Sequence, residues 1–574
     1  MRLVRLEANH ESFHTVKFNT SGVNLIVAKQ KNPEASDRGK TTNGVGKSLM
    51  VTLINFCLGS NKNEKLAKAI PDWEFTLTFQ LDGVDHTATR SLKKQDVVVL
   101  NGQNVTLSKY RTFLEKASFV IPEKINSLSF RSLIKRFIRP SKEAYTSFDS
   151  VGSVETPFAR LLNLSLLLGL DVNLVHEKHR LRVQKEKVET YLSNLEKDTI
   201  FQSFFTGDKD IESELFDLDE KISKLDADLA SFQVAEDYHE VEAAANTARR
   251  TLQNVSNRIV VLQNAIEHID ASLQITPDLS LDKVTKTYQE AQIIFTDLVK
   301  CSLDEVTSFH TKLIVSRKKR LEDERVKLSD QLTKTRVESK SVGDELDSHL
   351  KYLGAHSALD VFLKMSKAVA DYKSQATKLR DYKKLLETYR SETQSLKAAL
   401  AQETIKGETY LQTHSHLVVA NAAIFRGFAK QFYPGKPANL SVINNEGDNQ
   451  IRFEISAKIQ SDASDGINEV KIFCFDLTLL RIQKNNSVRF LFHDSRLFSD
   501  IDVRQCAVLF KIAHEEMNAH KLQYIATVNE DHLNAVKLHY SAEEFKSIVT
   551  DNTILTLTDE NAGAKLLGIQ IDIE

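Results

Sequence analysis

The sequence predicts an α/β protein in two lobes, with a long antiparallel helical hairpin inserted between them. Three observations carry that reading. Short β-like runs crowd both ends of the chain, and the middle is written in heptads. With only 8 prolines and 19 glycines among 574 residues, there is room for long unbroken helices.

The first lobe is expected over 1–171. "VNLIVA" (23–28), "FTLTFQL" (75–81) and "VVVL" (97–100) read as strands, punctuated by the turn dipeptides Asp82-Gly83 and Asn101-Gly102. At about 172 the texture changes. Ile211, Leu215, Leu218, Ile222, Leu225, Leu229 and Phe232 recur at alternating spacings of four and three, as do Leu252, Val255, Ile259, Leu262, Ile266, Ile269 and Leu273. That is the a/d seam two helices need to wrap around each other. Pro277 in "TPDLS" interrupts it, and heptads return at Leu379, Tyr382, Leu386, Tyr389, Thr393, Leu396 and Leu400. The stretches 172–272 and 312–412 are nearly equal, so the arms are expected over 172–412 with an apex at about 273–311. Unbroken, each arm would reach on the order of 150 Å. Gly207, Gly343 and Gly354 are the expected breaks. β texture resumes over 413–574, in "LSVINN", "IRFEISAKI", "VRFLF" and "QYIATV".

Composition narrows the class. No apolar run approaches the roughly 20 residues that span a bilayer, so no membrane partner is expected. "MRLVRLEANHESF" lacks the apolar core of a signal peptide. Cys57, Cys301, Cys474 and Cys506 lie far apart, which favours a reducing, cytoplasmic setting and argues against structural zinc. A net charge of −2 leaves nucleic-acid contact to local patches. "KRFIRPSK" (135–142), "HEKHRLRVQK" (176–185) and "RKKR" (317–320) are either phosphate-directed DNA contacts or solvated helix faces.

The first lobe also carries "RGKTTNGVGKSLM" (38–50). Its tail, Asn43-Gly44-Val45-Gly46-Lys47-Ser48, has the residues of a phosphate-binding loop, although Thr41 stands where the pattern has its first glycine. Gly44 and Gly46 free backbone N–H groups to cup phosphates, and the apolar run "LMVTLINFCLG" supplies the helix whose N-terminus faces them. Lys47 is the cation for the β and γ phosphates of ATP, and Ser48 the Mg²⁺ ligand.

Such a site needs a carboxylate at the end of an apolar strand. "SVRFLFHDSRLFSDID" (487–502) offers Asp494, with Asp500 and Asp502 downstream. Two registers stay open: Asp494 holds Mg²⁺ and Ser495 replaces a catalytic glutamate, or His493 takes the first position and Asp494 polarises water. Upstream, "ASDGINEVKIFCFDLTLL" places Ser464 and Gly466 at a helix start, as a second anion site or an ordinary cap. "LQYIATVNED" ends a strand with Thr527 and Asn529, where a polar side chain could sense the γ-phosphate.

In this order the motifs resemble the SMC/RecN-like branch of the ABC ATPases. "NGVGKS" resembles that family's "NGSGKS", and "ASDG" its "ASGG" signature turn. "FDLTLLR", "FLFHDSRLF", "DVRQ" and "QYIATVNED" are similar to a bacterial RecN-like group found in three-component conflict systems of the Lamassu antiphage type. The resemblance implies an ABC-type ATPase head assembled from N- and C-terminal lobes, with a signature turn that completes the ATP site of a second copy in a head dimer. It further implies DNA, small accessory subunits and a nuclease-type effector as partners. Housekeeping double-strand-break repair and a degenerate ATPase acting as a scaffold are the alternatives. Thr41, Asp465, Asn529 or Val528, and Ser495 depart from the family pattern, and "SFRSLIKRFIR" (129–139) lacks the expected glutamine. Slow hydrolysis, or ATP used mainly to clamp two heads, follows from those departures.

Overall fold

The computed structural model describes residues 1–30, 44–123, 125–152, 155–197, 199–202, 210–231, 239–274, 298–352, 356–460 and 465–571. They form two compact units, one from 1–183, 399–574 and the short stretch 291–300, the other from 184–290 and 301–398.

In the first unit, strands β1 (Arg2–Ala8), β2 (Val16–Lys17) and β3 (Gly22–Lys29) open the chain, and β4 (Glu74–Leu81), β5 (Val84–Ser91), β6 (Val97–Leu100) and β7 (Gln103–Thr106) follow. All but β3 join one antiparallel sheet in the order β2-β1-β4-β5-β6-β7. β4 alternates buried and exposed residues, the signature of a sheet with one wet face. Its turn to β5 uses Asp82 and Gly83 at φ 46° and 86°, and the next hairpin uses Asn101 and Gly102 at 50° and 82°. Both pairs are mirror-image turns that match strand twist.

β3 instead sits between strands from the far end of the chain. β8 (Ala438–Asn444) and β9 (Phe453–Ile459) form a separate hairpin, while β10 (Phe490–His493), β11 (Gln523–Asn529) and β12 (Thr553–Thr558) surround β3 in the parallel order β10-β11-β3-β12. Seven of the eight residues of β3 are buried, as a strand covered on both faces must be. Helices on this unit include α1 (Lys47–Cys57), α2 (Glu64–Ala69), α3 (Leu107–Ser118), α4 (Phe130–Ile138), α5 (Pro157–Leu167) and the start of α6 (Val172–Glu196). The head is therefore one α/β body whose central sheet is shared by both lobes, and the helical middle is an insertion.

In the second unit, a short α7 (Thr199–Gln202) precedes α8 (Ile211–Ser231) and α9 (His239–Gln274), and the return arm is α10 (Leu298–Tyr352) and α11 (His356–Thr413). Pair partners descend on one arm as they rise on the other: Glu212 with Lys383, Asp219 with Arg380, Asp226 with Lys373 and Asp270 with Arg325. That is an antiparallel hairpin. Leu215, Leu218, Ala376, Leu379 and Leu386 form its seam, and Leu252 meets Leu346 and Leu350 farther along.

The hairpin is not two straight arms. Asn264 donates to Ser374 Oγ at 2.7 Å, and the Arg249 guanidinium lies 5.8 Å over the Phe362 ring. In these contacts both numbers rise together, so α9 runs parallel to α11. The distal pair, α9 and α10, therefore runs back along the proximal pair, α8 and α11, so the arms do not have the unbroken reach. Gly343 lies inside continuous α10 rather than at a break, because a single glycine costs a helix only about 1 kcal/mol. Gly207, Gly354, Pro277 and Phe232 lie outside the described residues.

The longer helices that complete the head are α12 (Ser415–Phe432), α13 (Asp465–Ile482), α14 (Val503–His520) and α15 (Glu530–Val536). Among the described residues no helix is long and apolar enough to cross a membrane.

Candidate functional site

The loop from Gly44 to Ser48 runs into the start of α1. Gly44 and Gly46 have φ of 99° and 111°, a region L-residues avoid. A Cβ on Gly46 would also come within 2.5 Å of the Leu566 Cβ, and Leu566 N donates to the Val45 carbonyl at 3.0 Å. Gly46 caps α1 with no side-chain hydrogen bond, so the first N–H groups of the helix remain available to an anion.

Lys47 is buried, and its Nζ donates to Asn529 Oδ1. Burial lowers its pKa, and the Asp494 carboxylate acts in the opposite direction. Ser48 Oγ donates to Asp494 Oδ2 at 2.9 Å, and Thr527 Oγ1 donates to Oδ1 at 2.7 Å. Ser495 N donates to Thr527 Oγ1 at 3.0 Å, and Asp494 N donates to the Tyr145 hydroxyl at 2.8 Å. Arg496 Nε stands 3.6 Å from Asp494 Oδ2. The shared sheet brings this about: β3 leads toward the loop, while β10 and β11 are aligned with it in parallel, Asp494 directly following β10 and Asn529 closing β11.

His493 points elsewhere. It is fully buried, 3.1 Å from the Tyr524 hydroxyl and 3.0 Å from Asp476 Oδ2. Burial lowers its pKa, with Asp476 acting in the opposite direction. Of the two registers, the geometry pairs Asp494, not His493, with Ser48.

Gly466 opens α13 against the Asp500 carbonyl, 2.6 Å from where a Cβ would lie, so no side chain fits there without movement. Asp502 caps α14 by accepting from Arg504 N at 2.9 Å, which accounts for that acid structurally. Asn43, Thr41 and Ser464 lie outside the described residues.

Two basic clusters are not the surfaces expected of them. In the first, Lys135, Arg136 and Arg139 are turned inward. Burial lowers the Lys135 pKa to about 8, Arg136 binds Glu155 at 2.7 Å and Arg139 binds Asp476. In the second, Lys178 Nζ donates to the Asn445 carbonyl at 2.6 Å, Arg180 pairs with Glu177 at 2.6 Å and Arg182 with Asp448. Arg136, Arg139, Lys178 and Arg182 serve partners within the unit, which fits neither a phosphate contact nor a solvated face, whereas the Arg180 pair is half-exposed. Only Arg317, Lys318, Lys319 and Arg320 are exposed as a run.

Sequence reasoning missed Tyr145, Arg496 and His532. His532 lies one turn past Asn529, its Nδ1 is buried without a hydrogen bond among the described residues, and burial followed by the Lys47 charge lowers its pKa. Its place in "NEDH" was the one signal available.

Residues 428–571 match a family model described as "Uncharacterised protein conserved in bacteria (DUF2326)". Over 563 residues the chain is 21% identical to "Uncharacterized protein YydD" of Bacillus subtilis (strain 168), covering 92% of each. Among solved structures it is similar to the Smc head domain with a coiled coil and joint from Pyrococcus yayanosii, at TM-score 0.37 and 15% identity over 97% of this chain and 94% of that one. It is also similar to the Pyrococcus furiosus Smc head domain bound to the C-terminal domain of ScpA, at TM-score 0.32 and 13% identity over 93% and 91%. The head fold itself is read from the chain's own strand pairing.

Proposed function

We propose that this chain is an SMC-like ATPase that binds ATP and Mg²⁺ between the Gly44–Ser48 loop and Asp494, hydrolyses ATP slowly, and uses it to join two heads. The observation that carries the reading is the hydrogen bond from Ser48 to Asp494 across 446 residues of chain. It sets a hydroxyl, a carboxylate and a buried lysine around one helix N-terminus. Those donors suit the groups they would hold. Lys47 and the free N–H groups match phosphate oxygens. One hydroxyl and one carboxylate leave room for the phosphates and waters that Mg²⁺ prefers over an all-protein cage. Bound Mg²⁺ supplies charge neutralisation at the phosphoryl group. Lys47 would exchange Asn529 for phosphate, and Asn529 would then be free to sense it. Ser495, which offers no carboxylate after Asp494, supports slow turnover.

Dimerisation would use Gly466 at the start of α13, with Ser464 two residues before it in the sequence, presented to the loop of a second copy. The exposed run 317–320 supports phosphate-directed contact with DNA along one arm. Service in an antiphage complex with accessory subunits and a nuclease-type effector rests on the sequence resemblance. Phage challenge and DNA-break sensitivity of a deletion strain separate it from repair.

Lys47→Ala is expected to weaken labelled-ATP binding tens- to hundred-fold, since a charge-assisted contact contributes about 1.5–3 kcal/mol. Asp494→Asn should keep ATP but lose turnover. Unchanged ATP affinity in a folded Lys47→Ala protein would overturn the reading, and ATP binding with no turnover in the wild type would leave the scaffold role.

A further inference from the structure

The segment 139–150 joins α4 to the site without contributing to the phosphate loop. Arg139 ends α4 in the left-handed region at φ 33°, and its side chain is fully buried. The guanidinium forms a bidentate pair with Asp476, with Nη2 to Oδ1 at 2.7 Å. It also donates to the main-chain carbonyls of Ala144, Ser147, Phe148 and Ser150. Those carbonyls bracket Tyr145, so one arginine fixes the loop that carries the tyrosine. Asp476 in turn binds His493, the residue before Asp494. Two buried routes from the same ion pair therefore converge on Asp494, one through the end of β10 and one through the Tyr145 hydroxyl.

We infer that Tyr145 is the positioning residue for Asp494, through which the segment 139–150 controls how the site uses Mg²⁺ and ATP. This rests on the nucleotide reading above. In the structure three hydrogen bonds orient Asp494: Ser48 on Oδ2, Thr527 on Oδ1 and Tyr145 on the main-chain N–H. Ser48 and Asp494 would hold a bound Mg²⁺, and the hydrogen bond between them would then be given up to the ion. The carboxylate then keeps Thr527 on Oδ1 and the Arg496 guanidinium near Oδ2, while Tyr145 holds the main chain that carries it, so the tyrosine matters most in the loaded state. Its hydroxyl has one donor and two acceptor positions, and among the described residues its hydrogen bond is the one it accepts from Asp494.

Tyr145→Phe deletes one oxygen and keeps the buried ring. The expected result is a kcat lower by about ten-fold, the value of one hydrogen bond, with the ATP Kd unchanged. The Mg²⁺ concentration for half-maximal turnover should rise, since the metal's carboxylate is loosened. Combined with Thr527→Val, which frees the same carboxylate, the loss should fall short of the product of the two single losses. Arg139→Lys keeps a cation opposite Asp476 but loses the fork that holds the loop, and should show the same split in milder form. An unchanged kcat and Mg²⁺ midpoint in Tyr145→Phe would overturn the inference, as would a loss of ATP affinity that parallels a loss of thermal stability. A wild-type chain that binds no ATP would overturn the functional reading instead.

Discussion

The head and the arms use ionic groups in opposite ways. In the head, the side chains of Arg139 and Asp476 are both 0% exposed, and the pair is built into a network that ends at Asp494. In the arms, Arg380 and Asp219 are each 53% exposed and sit beside a seam that would persist without them. The contrast teaches what each region is for. A buried pair contributes little net stability over apolar packing, but it tolerates the loss of neither partner, so it fixes one geometry. An exposed pair is screened by water and salt and leaves the helices free to slide or bend. The site needs fixed geometry; a hairpin that doubles back on itself does not.

The largest expected effect breaks the buried side. Arg139→Met strands the Asp476 carboxylate, and the head should lose about 3–5 kcal/mol in urea unfolding followed by tryptophan fluorescence. Trp73 lies in the head, so the signal reports that unit. A loss below about 1 kcal/mol would place this pair with the surface ones.

The arms should respond to apolar loss instead. Leu379 is fully buried in the seam, and Leu379→Ala should cost about 2–5 kcal/mol of helical stability, read by far-UV circular dichroism, with ATP binding intact.

Acidification sharpens the comparison. Burial holds the His493 pKa below its ordinary value, so the folded state resists a proton that the unfolded chain accepts. Stability of the head is then full above about pH 6.5 and falls as the pH drops below it, by up to about 1.4 kcal/mol per pH unit. Asp476 adds a second loss at lower pH. Burial alone would raise its pKa, but Arg139 and His493 hold it below the usual carboxylate range. His493→Gln should flatten the first fall in the urea midpoint between pH 8 and 5.5. The smallest effect belongs to Arg380→Ala, expected at about 0.5 kcal/mol or less and lost in high salt.

Legibility followed the range of the interaction. The loop at Gly44–Ser48, the turn pairs Asp82-Gly83 and Asn101-Gly102, and the seam through Leu215, Leu218 and Leu379 are all patterns within a few residues, set by backbone freedom or helical period. Asp494 stood out because an acid closing an apolar strand is locally odd. Arg136 and Arg139 misled for the same reason. A run of cations reads as a solvated face, and nothing near them in sequence announces that Glu155 and Asp476 will bury them.

The sequence by itself determined two β-rich lobes, the heptad arms, and a glycine-rich Lys47-Ser48 loop with a distant acid, because these follow from spacing and side-chain chemistry alone. Only the tertiary structure decided that β3 lies between β11 and β12, that Ser48 meets Asp494, and that Tyr145 holds that acid by its main chain. It also decided that α9 turns back along α11. Each of these depends on which segments pack together across hundreds of residues, and burial can reward such pairings only once the whole chain has closed around them.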